Sequence, residues 1–568
     1  MHSEIIIGGL IFVVSILLAL PLGAYMARVY RNESRLLRFL DPLERLIFRI
    51  CNIDPLVEMN WKQYLLAFLC INSVWLVWGI VILLTQGKIF LNPVHIPSME
   101  WTLALNSAIS FITGTNLQHY SGETGATYSS QISVFTFLQF VSGAASLSAG
   151  VAVVRGLRIH SSSNLGNFYA DFLRSLTRIL LPLSCIAAIL FIFNGVPMTL
   201  HPPEKIITLQ GDSMTIASGP VASMIPIKEL GSNGGGFFGP NDAHPFESPN
   251  FITFVIHSIL IFLLPMAFIF FIGYYLSARR LRIMLFSIMT AGFLIITAPI
   301  IIQEVSENPL QTSLGINTAQ GNMEGKEVRF GSFYSAFYSG ENIVIPAGSV
   351  VASHDSYKPL SAVTMIVGMQ IDSFFGGVGT GWINMFMYLI IGVFIGTLMI
   401  GRTPEMFGRK IGNREMQIAI GVSIASILLP LAFAAIAMMI YLYYPGGNES
   451  LGWLGNKGTH GFTTMLYEYI SSYAGNGSEF SGLTGNTPFW NLTTSFVMLC
   501  GRFIPIIGAL MIAGLLQEKK YIIPSSATLK IDSLAFGIFL FAGIFILTAL
   551  SCLPALMIGP LSEHFIIK

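Results

Sequence analysis

Ten long apolar runs constrain this chain more than any other feature. They lie near 4–27, 64–84, 130–154, 172–194, 251–276, 283–303, 360–400, 416–443, 490–516 and 531–557. A helix needs about 20 apolar residues to cross a hydrocarbon core ~30 Å thick, so ten crossings are expected. Of 568 residues, 53% are hydrophobic and only 10% charged, against about 25% charged in soluble domains. So little charge cannot cover a water-facing surface, and the expected class is an all-α polytopic membrane protein. The run 360–400 is too long for one simple crossing and contains Gly376, Gly377, Gly379 and Gly381, so a break is expected there. The start, MHSEIIIGG, lacks the basic stretch of a signal peptide and reads as a retained first helix.

Orientation follows from the loops. Lysines and arginines number 21 in one alternating set, from Arg28–Lys62 to Lys519–Lys530, and 7 in the other. Cytoplasmic loops carry the excess, which places both chain ends outside. The opposite loops hold 16 Asp and Glu against those 7 basic residues, a balance that suggests a negative vestibule attracting cations. The formal net charge of +1 gives no basis for binding nucleic acid. Cys51, Cys70, Cys185, Cys500 and Cys552 show no CxxC spacing, mostly lie in apolar stretches and read as buried thiols rather than a disulfide framework.

Four outer loops share one pattern, a short apolar or amphipathic run followed by a Gly-, hydroxyl- and amide-rich stretch. The first runs from Trp101 to Ile112 and then Thr113, Gly114, Thr115 and Asn116. The second runs from Val221 to Leu230 and then Ser232, Asn233, Gly234, Gly235 and Gly236. The third runs from Phe333 to Ile345 and then Ala347, Gly348 and Ser349. The fourth runs from Phe462 to Tyr473 and then Asn476, Gly477 and Ser478. The glycines Gly114, Gly234, Gly348 and Gly477 stand 120, 114 and 129 residues apart, a period that suggests four copies of one helix–loop–helix unit. SGETGAT at 121–127 and SGLTGNT at 481–487 share the pattern SGxTGxT just before a membrane run.

Irregular backbone survives at membrane depth only where protein or a water-filled cavity satisfies it. There its carbonyls can replace the hydration shell of a passing cation. Neutral oxygens suit a large, weakly hydrated ion such as potassium, whereas Mg²⁺ or Ca²⁺ would want carboxylates, and the four short stretches contain none. His119, His244 and His354 follow three of the stretches without metal-ligand spacing and read as loop hydrogen-bonding residues.

The loop SNGGGFFGPNDAHPFESPN (232–250), with TNLQHYSGE (115–123), AGNGSEFSGLTGNTPFWN (474–491), GGVGTG (376–381) and GRTPE (401–405), resembles the potassium-binding A subunit of bacterial Kdp-type potassium-transporting ATPases. The resemblance spans essentially the whole chain. It implies four M1–P-loop–M2 units of potassium-channel type plus one extra helix at each end. The corresponding divisions are 1–61, 62–158, 159–282, 283–414, 415–520 and 521–568. It also implies potassium as substrate and a bacterial inner-membrane location. The implied partners are a P-type ATPase (the B subunit), a single-span C subunit and a small F subunit. This chain has neither GxxxxGK[ST] nor DKTGT, which fits a protein with no ATP site of its own.

The proposed potassium layer uses backbone oxygens around the four glycines, with Thr113, Thr115, Asn116, Ser232, Asn233, Gly235, Ala347, Ser349, Asn476 and Ser478 bracing it or adding ligands. By resemblance, Gln118 modulates affinity, the broken segment with Gly376, Gly377, Gly379 and Gly381 forms a gate, and Arg502 lies below the filter. Asp372 and Arg402 flank the break in sequence, and each is expected to hydrogen-bond its unwound backbone. The resemblance also marks departures: Gly114 and Gly475 stand where Asn is familiar, and Pro346-Ala347-Gly348 where Ser-Cys-Gly is familiar. An autonomous potassium channel or ion-coupled symporter would share the fourfold pattern. An intramembrane enzyme would need paired Asp or His residues, GxGD or HExxH, none of which occurs.

Overall fold

The computed structural model describes residues 2–158, 164–445, 451–522 and 529–567. Ten helices in it are long and apolar enough to cross a membrane: His2–Tyr30, Trp61–Lys88, Tyr128–Gly156, Phe168–Phe193, Phe251–Tyr275, Arg279–Val305, Thr380–Met399, Asn413–Tyr443, Pro488–Gln517 and Leu534–Ile558. Each expected run lies on one of them. The run 360–400 divides into two helices, Pro359–Ile371 and Thr380–Met399, with irregular backbone between. Sheet is confined, among the described residues, to two small hairpins, Glu204–Ile207 with Ser213–Ile216 and Glu405–Met406 with Arg409–Lys410.

The second to ninth spans form four successive pairs, and in each pair a short helix lies in the connecting loop. These short helices are Trp101–Thr113, Val221–Leu230, Gly331–Val344 and Gly458–Ala474. In every pair the second span is the more buried, by 89 against 22%, 83 against 39%, 67 against 44% and 50 against 22% of its most apolar window. The second members therefore form an inner ring and the first members an outer one. The first span packs on the inner ring, with the Phe12 and Phe262 rings 5.4 Å apart. The last span closes on the broken segment, where Phe374 stacks on Phe541 at 5.6 Å. Of the five cysteines expected to be buried, only Cys552 is; Cys51, Cys70 and Cys185 are exposed, the last two because they lie on outer-ring spans.

Local chemistry fixes where the inner helices begin. The final threonine of each SGxTGxT stretch is an N-cap: Thr127 accepts from Ser130 N at 3.1 Å and Thr487 from Trp490 N at 3.4 Å. Asn250 does the same for the second inner helix, accepting from Thr253 N at 3.0 Å in a capping box. Such caps each stabilise a helix end by about 1 kcal/mol. In the third pair, the helix Pro359–Ile371 that precedes the break starts instead with Pro359, whose ring presets helical φ.

Candidate functional site

One backbone hydrogen bond sets a common register at the ends of the four short helices. Thr115 N donates to Ser110 O at 3.0 Å, Asn233 N to Lys228 O at 2.9 Å, Ala347 N to Asn342 O at 3.4 Å and Asn476 N to Ser471 O at 3.0 Å. In the first and fourth loops the residue before this amide ends its helix, Gly114 with φ +75° and Gly475 with φ +70°. The second helix ends at Gly231 with φ −78°, and a positive φ of +45° follows at Ser232. Pro346 cannot adopt that geometry, and the third helix ends instead at Ile345 with φ −108°. The residues after the four amides are Asn116, Gly234, Gly348 and Gly477. Asn116, Gly348 and Gly477 have φ of +55°, +63° and +91°, while in the second loop the positive angle falls on Gly235, at +76°. Asn116 thus occupies the position of the central glycines, and Gly114 serves as a helix cap.

The four loops meet. A Cβ on Gly234 would lie 2.7 Å from Asn476 O, 2.8 Å from Thr115 O and 2.9 Å from Gly348 Cα. A Cβ on Gly348 would collide with Asn476 O, and one on Gly477 with Thr115 O. Among the described residues, no hydrogen bond reaches the carbonyls of Thr115, Asn233, Ala347 or Asn476. Buried carbonyls are almost always paired, so four unclaimed ones at equivalent positions suit a positive guest. The short helices also end here, and their carbonyl termini carry partial negative charge.

The polar side chains mostly turn outward and hold the loops. Asn116 Nδ2 donates to Gly234 O at 2.9 Å, and Asn476 Nδ2 to Asn342 O at 2.8 Å. Thr113 Oγ1 shares a 3.0 Å hydrogen bond with Thr115 Oγ1. Asn233 Oδ1 accepts from Ser142 Oγ at 3.1 Å, and Ser349 Oγ donates to Glu229 Oε2 at 3.0 Å. Gln118 clasps the second loop at both backbone poles of one residue: its Oε1 accepts from Gly236 N at 2.7 Å and its Nε2 donates to Gly236 O at 3.1 Å.

A further strut has no signal in sequence spacing. His354 Nδ1 lies 2.8 Å from Tyr467 Oη, which lies 2.8 Å from Ser478 Oγ, which donates to Asn476 Oδ1 at 2.5 Å. Burial, helped by the Lys326 charge, lowers the His354 imidazole to about 3, so the strut stays neutral. His244 stacks on Phe238 with centroids 3.9 Å apart.

Beneath the constriction lies the broken segment. Asp372 ends Pro359–Ile371 with φ +39°, and Asn384 Nδ2 donates to its Oδ2 at 2.8 Å. Val378 N donates to Ser232 Oγ at 2.7 Å, which ties this loop directly to the second converging loop. A Cβ on Gly376 would strike Gly381 Cα, one on Gly379 would strike Ser146 O, and one on Gly377 would lie 3.3 Å from Ser232 Oγ. Glycine is required here by close approach as much as by flexibility. Arg502 bonds Ser146 Oγ and lies 3.1 Å from where a Gly114 Cβ would stand, so its charge is held below the first loop.

Two expectations need correction. Arg402 does not flank the break in space. It is exposed beyond the far end of Thr380–Met399, about 30 Å along a helix axis from it. The outer carboxylates are not simply a solvated vestibule either, because Glu229, Asp242, Glu247, Glu304, Glu341 and Glu468 are all 0% exposed. Three of them surround buried Lys228, whose Nζ lies 2.6 Å from Asp242 Oδ1, 2.9 Å from Glu247 Oε2 and 3.5 Å from Glu229 Oε1. Burial opposes the Lys228 charge, but these carboxylates raise its pKa overall.

The family model described as potassium-transporting ATPase A subunit matches residues 9–565. A potassium-transporting ATPase potassium-binding subunit from Flavobacterium psychrophilum is 48% identical over 565 residues, 98% of each chain. A protein of the same description from Bacteroides thetaiotaomicron is 44% identical over 97% of each chain. Another from Alicyclobacillus acidocaldarius is 43% identical over 98% of this chain and 99% of that one. The potassium transporter TrkH from Vibrio parahaemolyticus has a TM-score of 0.49 and 15% identity over 78% of this chain and 84% of that one. Full-length agreement at this identity, on a membrane fold with four converging loops, places the chain in the potassium-transporting ATPase A subunit family.

Proposed function

We propose that the four converging loops form a selectivity filter that takes potassium from the outer side and passes it to a partner ATPase. The observation that carries this reading is the set of equivalent, unclaimed carbonyls of Thr115, Asn233, Ala347 and Asn476 beside Gly234, Gly348 and Gly477. Carbonyl dipoles exchange for the waters of a weakly hydrated cation at little net cost. The four stretches contain no carboxylate to hold the ion too tightly to leave. Above it a cavity of about 330 Å³, lined by Asn116, Gln118, Gly348, Gly477 and Glu479 among others, serves as the entry.

The loop between Ile371 and Thr380 supports transfer to a partner over open conduction. Its bond from Val378 N to Ser232 Oγ holds it under the filter, and Arg502 adds a positive charge there. An ion arriving from above meets both and is diverted sideways. On this reading the energy comes from ATP hydrolysis on the P-type ATPase partner, assembled with the single-span and small partner proteins in the bacterial inner membrane, with both ends of this chain outside.

The test is purification from membranes of cells that express this chain together with its proposed partners, followed by ATPase measurement. A P-type ATPase that co-purifies and is stimulated by potassium is expected. A chain that purifies alone and conducts potassium in liposomes without ATP would refute the transfer.

A further inference from the structure

Beside the outer cavity, three side chains from the first and fourth outer loops come together. His119 Nε2 lies 3.2 Å from Glu468 Oε1, and one ligand atom from each of His119, Glu468 and Glu479 lies within 4.8 Å of the others. The other imidazole nitrogen, Nδ1, lies 2.7 Å from Asn491 Oδ1. The Asn491 amide is oriented independently, because its Nδ2 donates to Thr102 Oγ1 at 3.1 Å and to Asn486 Oδ1 at 3.3 Å. His119 therefore donates from Nδ1 and presents Nε2 to the carboxylates. The second Glu468 oxygen, Oε2, is buried and has no hydrogen-bond partner. Glu479 is half-buried and lines the outer cavity, which gives access from outside.

We infer that His119, Glu468 and Glu479 form a site for a divalent transition metal of the zinc class. Metal-bound histidines are commonly fixed by a hydrogen bond from the remote ring nitrogen, and Asn491 accepts one. One imidazole and two carboxylates suit Zn²⁺ or Co²⁺ better than Mg²⁺ or Ca²⁺, which prefer all-oxygen sites. Zinc bonds of ~2.1 Å at tetrahedral angles separate two ligand atoms by about 3.4 Å. The His119–Glu468 distance of 3.2 Å already matches that separation, so the metal takes the place of the proton between them. With Oε2 unclaimed, the buried Glu468 carboxylate keeps lone pairs free for a cation. Sequence spacing hides the site because the ligands come from positions 119, 468 and 479.

A bound dication would stand on the wall of the cavity through which potassium enters and repel it. This consequence rests on the proposed filter, whereas metal binding does not. The experiment titrates the purified, metal-free complex with Co²⁺ and follows visible d–d absorption, then measures potassium-stimulated ATPase with and without Zn²⁺. One Co²⁺ per complex is expected, weakened at least tenfold in His119→Gln and in Glu479→Gln. Glu479→Gln alters the least buried ligand and so keeps the test valid if His119→Gln misfolds. Asn491→Ala should weaken binding by about 10- to 100-fold through loss of the orienting bond. Absence of a Co²⁺ band in the wild type, or equal affinity in the variants, would overturn the site. Zn²⁺ should raise the potassium concentration for half-maximal activity in the wild type and not in Glu479→Gln. If Co²⁺ binds and potassium dependence does not move, the inhibitory role is wrong and the metal site stands.

Discussion

Gly234→Ala adds one methyl group where three other loops touch the second. Gly234 is not among the residues with positive φ, so alanine is conformationally acceptable and acts only through space. Its Cβ would lie 2.7–2.9 Å from Asn476 O, Thr115 O and Gly348 Cα, where ordinary contact starts at 3.4 Å. The three neighbours must retreat by 0.5–0.7 Å, the shortfall from that contact distance. All three are backbone atoms in buried loops and cannot swing aside as a side chain could. Overpacking of this kind costs ~1–3 kcal/mol. If that cost falls on the ion-bound geometry, potassium binding weakens by about 5- to 150-fold, at ~1.4 kcal/mol per tenfold. The assay is potassium-stimulated ATPase of the assembled complex, with rubidium and sodium in parallel. Discrimination should fall along with affinity, because the ring can no longer close to one size. Gly9→Ala is the control, with nothing within 4 Å of its added Cβ. Unchanged potassium affinity in Gly234→Ala would refute the convergence of the four loops at that point.

Gln118→Leu removes two hydrogen bonds to Gly236. At ~0.5–1.5 kcal/mol each, a loss of about 5- to 150-fold in potassium affinity is expected from titration of the ATPase. Tyr467→Phe cuts the link from His354 to Ser478 and should lower potassium-over-rubidium discrimination in competition uptake while leaving maximal turnover near normal. Ser232→Ala leaves the buried Val378 N–H without its acceptor at a cost of ~1–3 kcal/mol; ATP-independent potassium leak in liposomes should rise. His460 is bridged to Asp355 at 2.9 Å and Glu563 at 3.0 Å. Burial opposes its charge, but these carboxylates raise its pKa from 6.5 to about 9. The folded pKa is the higher one, so this stabilisation is full below about pH 6.5 and is lost as pH rises through 9. Thermal melts of the complex should show His460→Gln losing stability at pH 6 and little at pH 10.

Much of this architecture is legible from residue order. Apolar run length locates all ten spans, and the four loop stretches begin within four residues of the short helices that precede them. The break is readable because Gly376, Gly379 and Gly381 permit approaches that any Cβ would block. The exact quartet is not readable, because Asn116 adopts the positive φ expected of a glycine and Gly114, two residues earlier, mimics it in composition. Asn tolerates that region through local side-chain bonding, which sequence spacing does not reveal. The buried carboxylates escape for a different reason. Nothing near Lys228 in sequence announces that it folds against Asp242 and Glu247 with all three out of water. Arg402 is misplaced by residue order because a twenty-residue helix separates it from the glycines it follows.

Thallium scatters anomalously and substitutes for potassium, so diffraction from crystals of the complex grown in thallium locates the bound ion directly. A peak enclosed by the carbonyls of Thr115, Asn233, Ala347 and Asn476 is the expected result. A map with no peak there, and the ion instead among carboxylates of the outer cavity, would contradict coordination by neutral backbone oxygens.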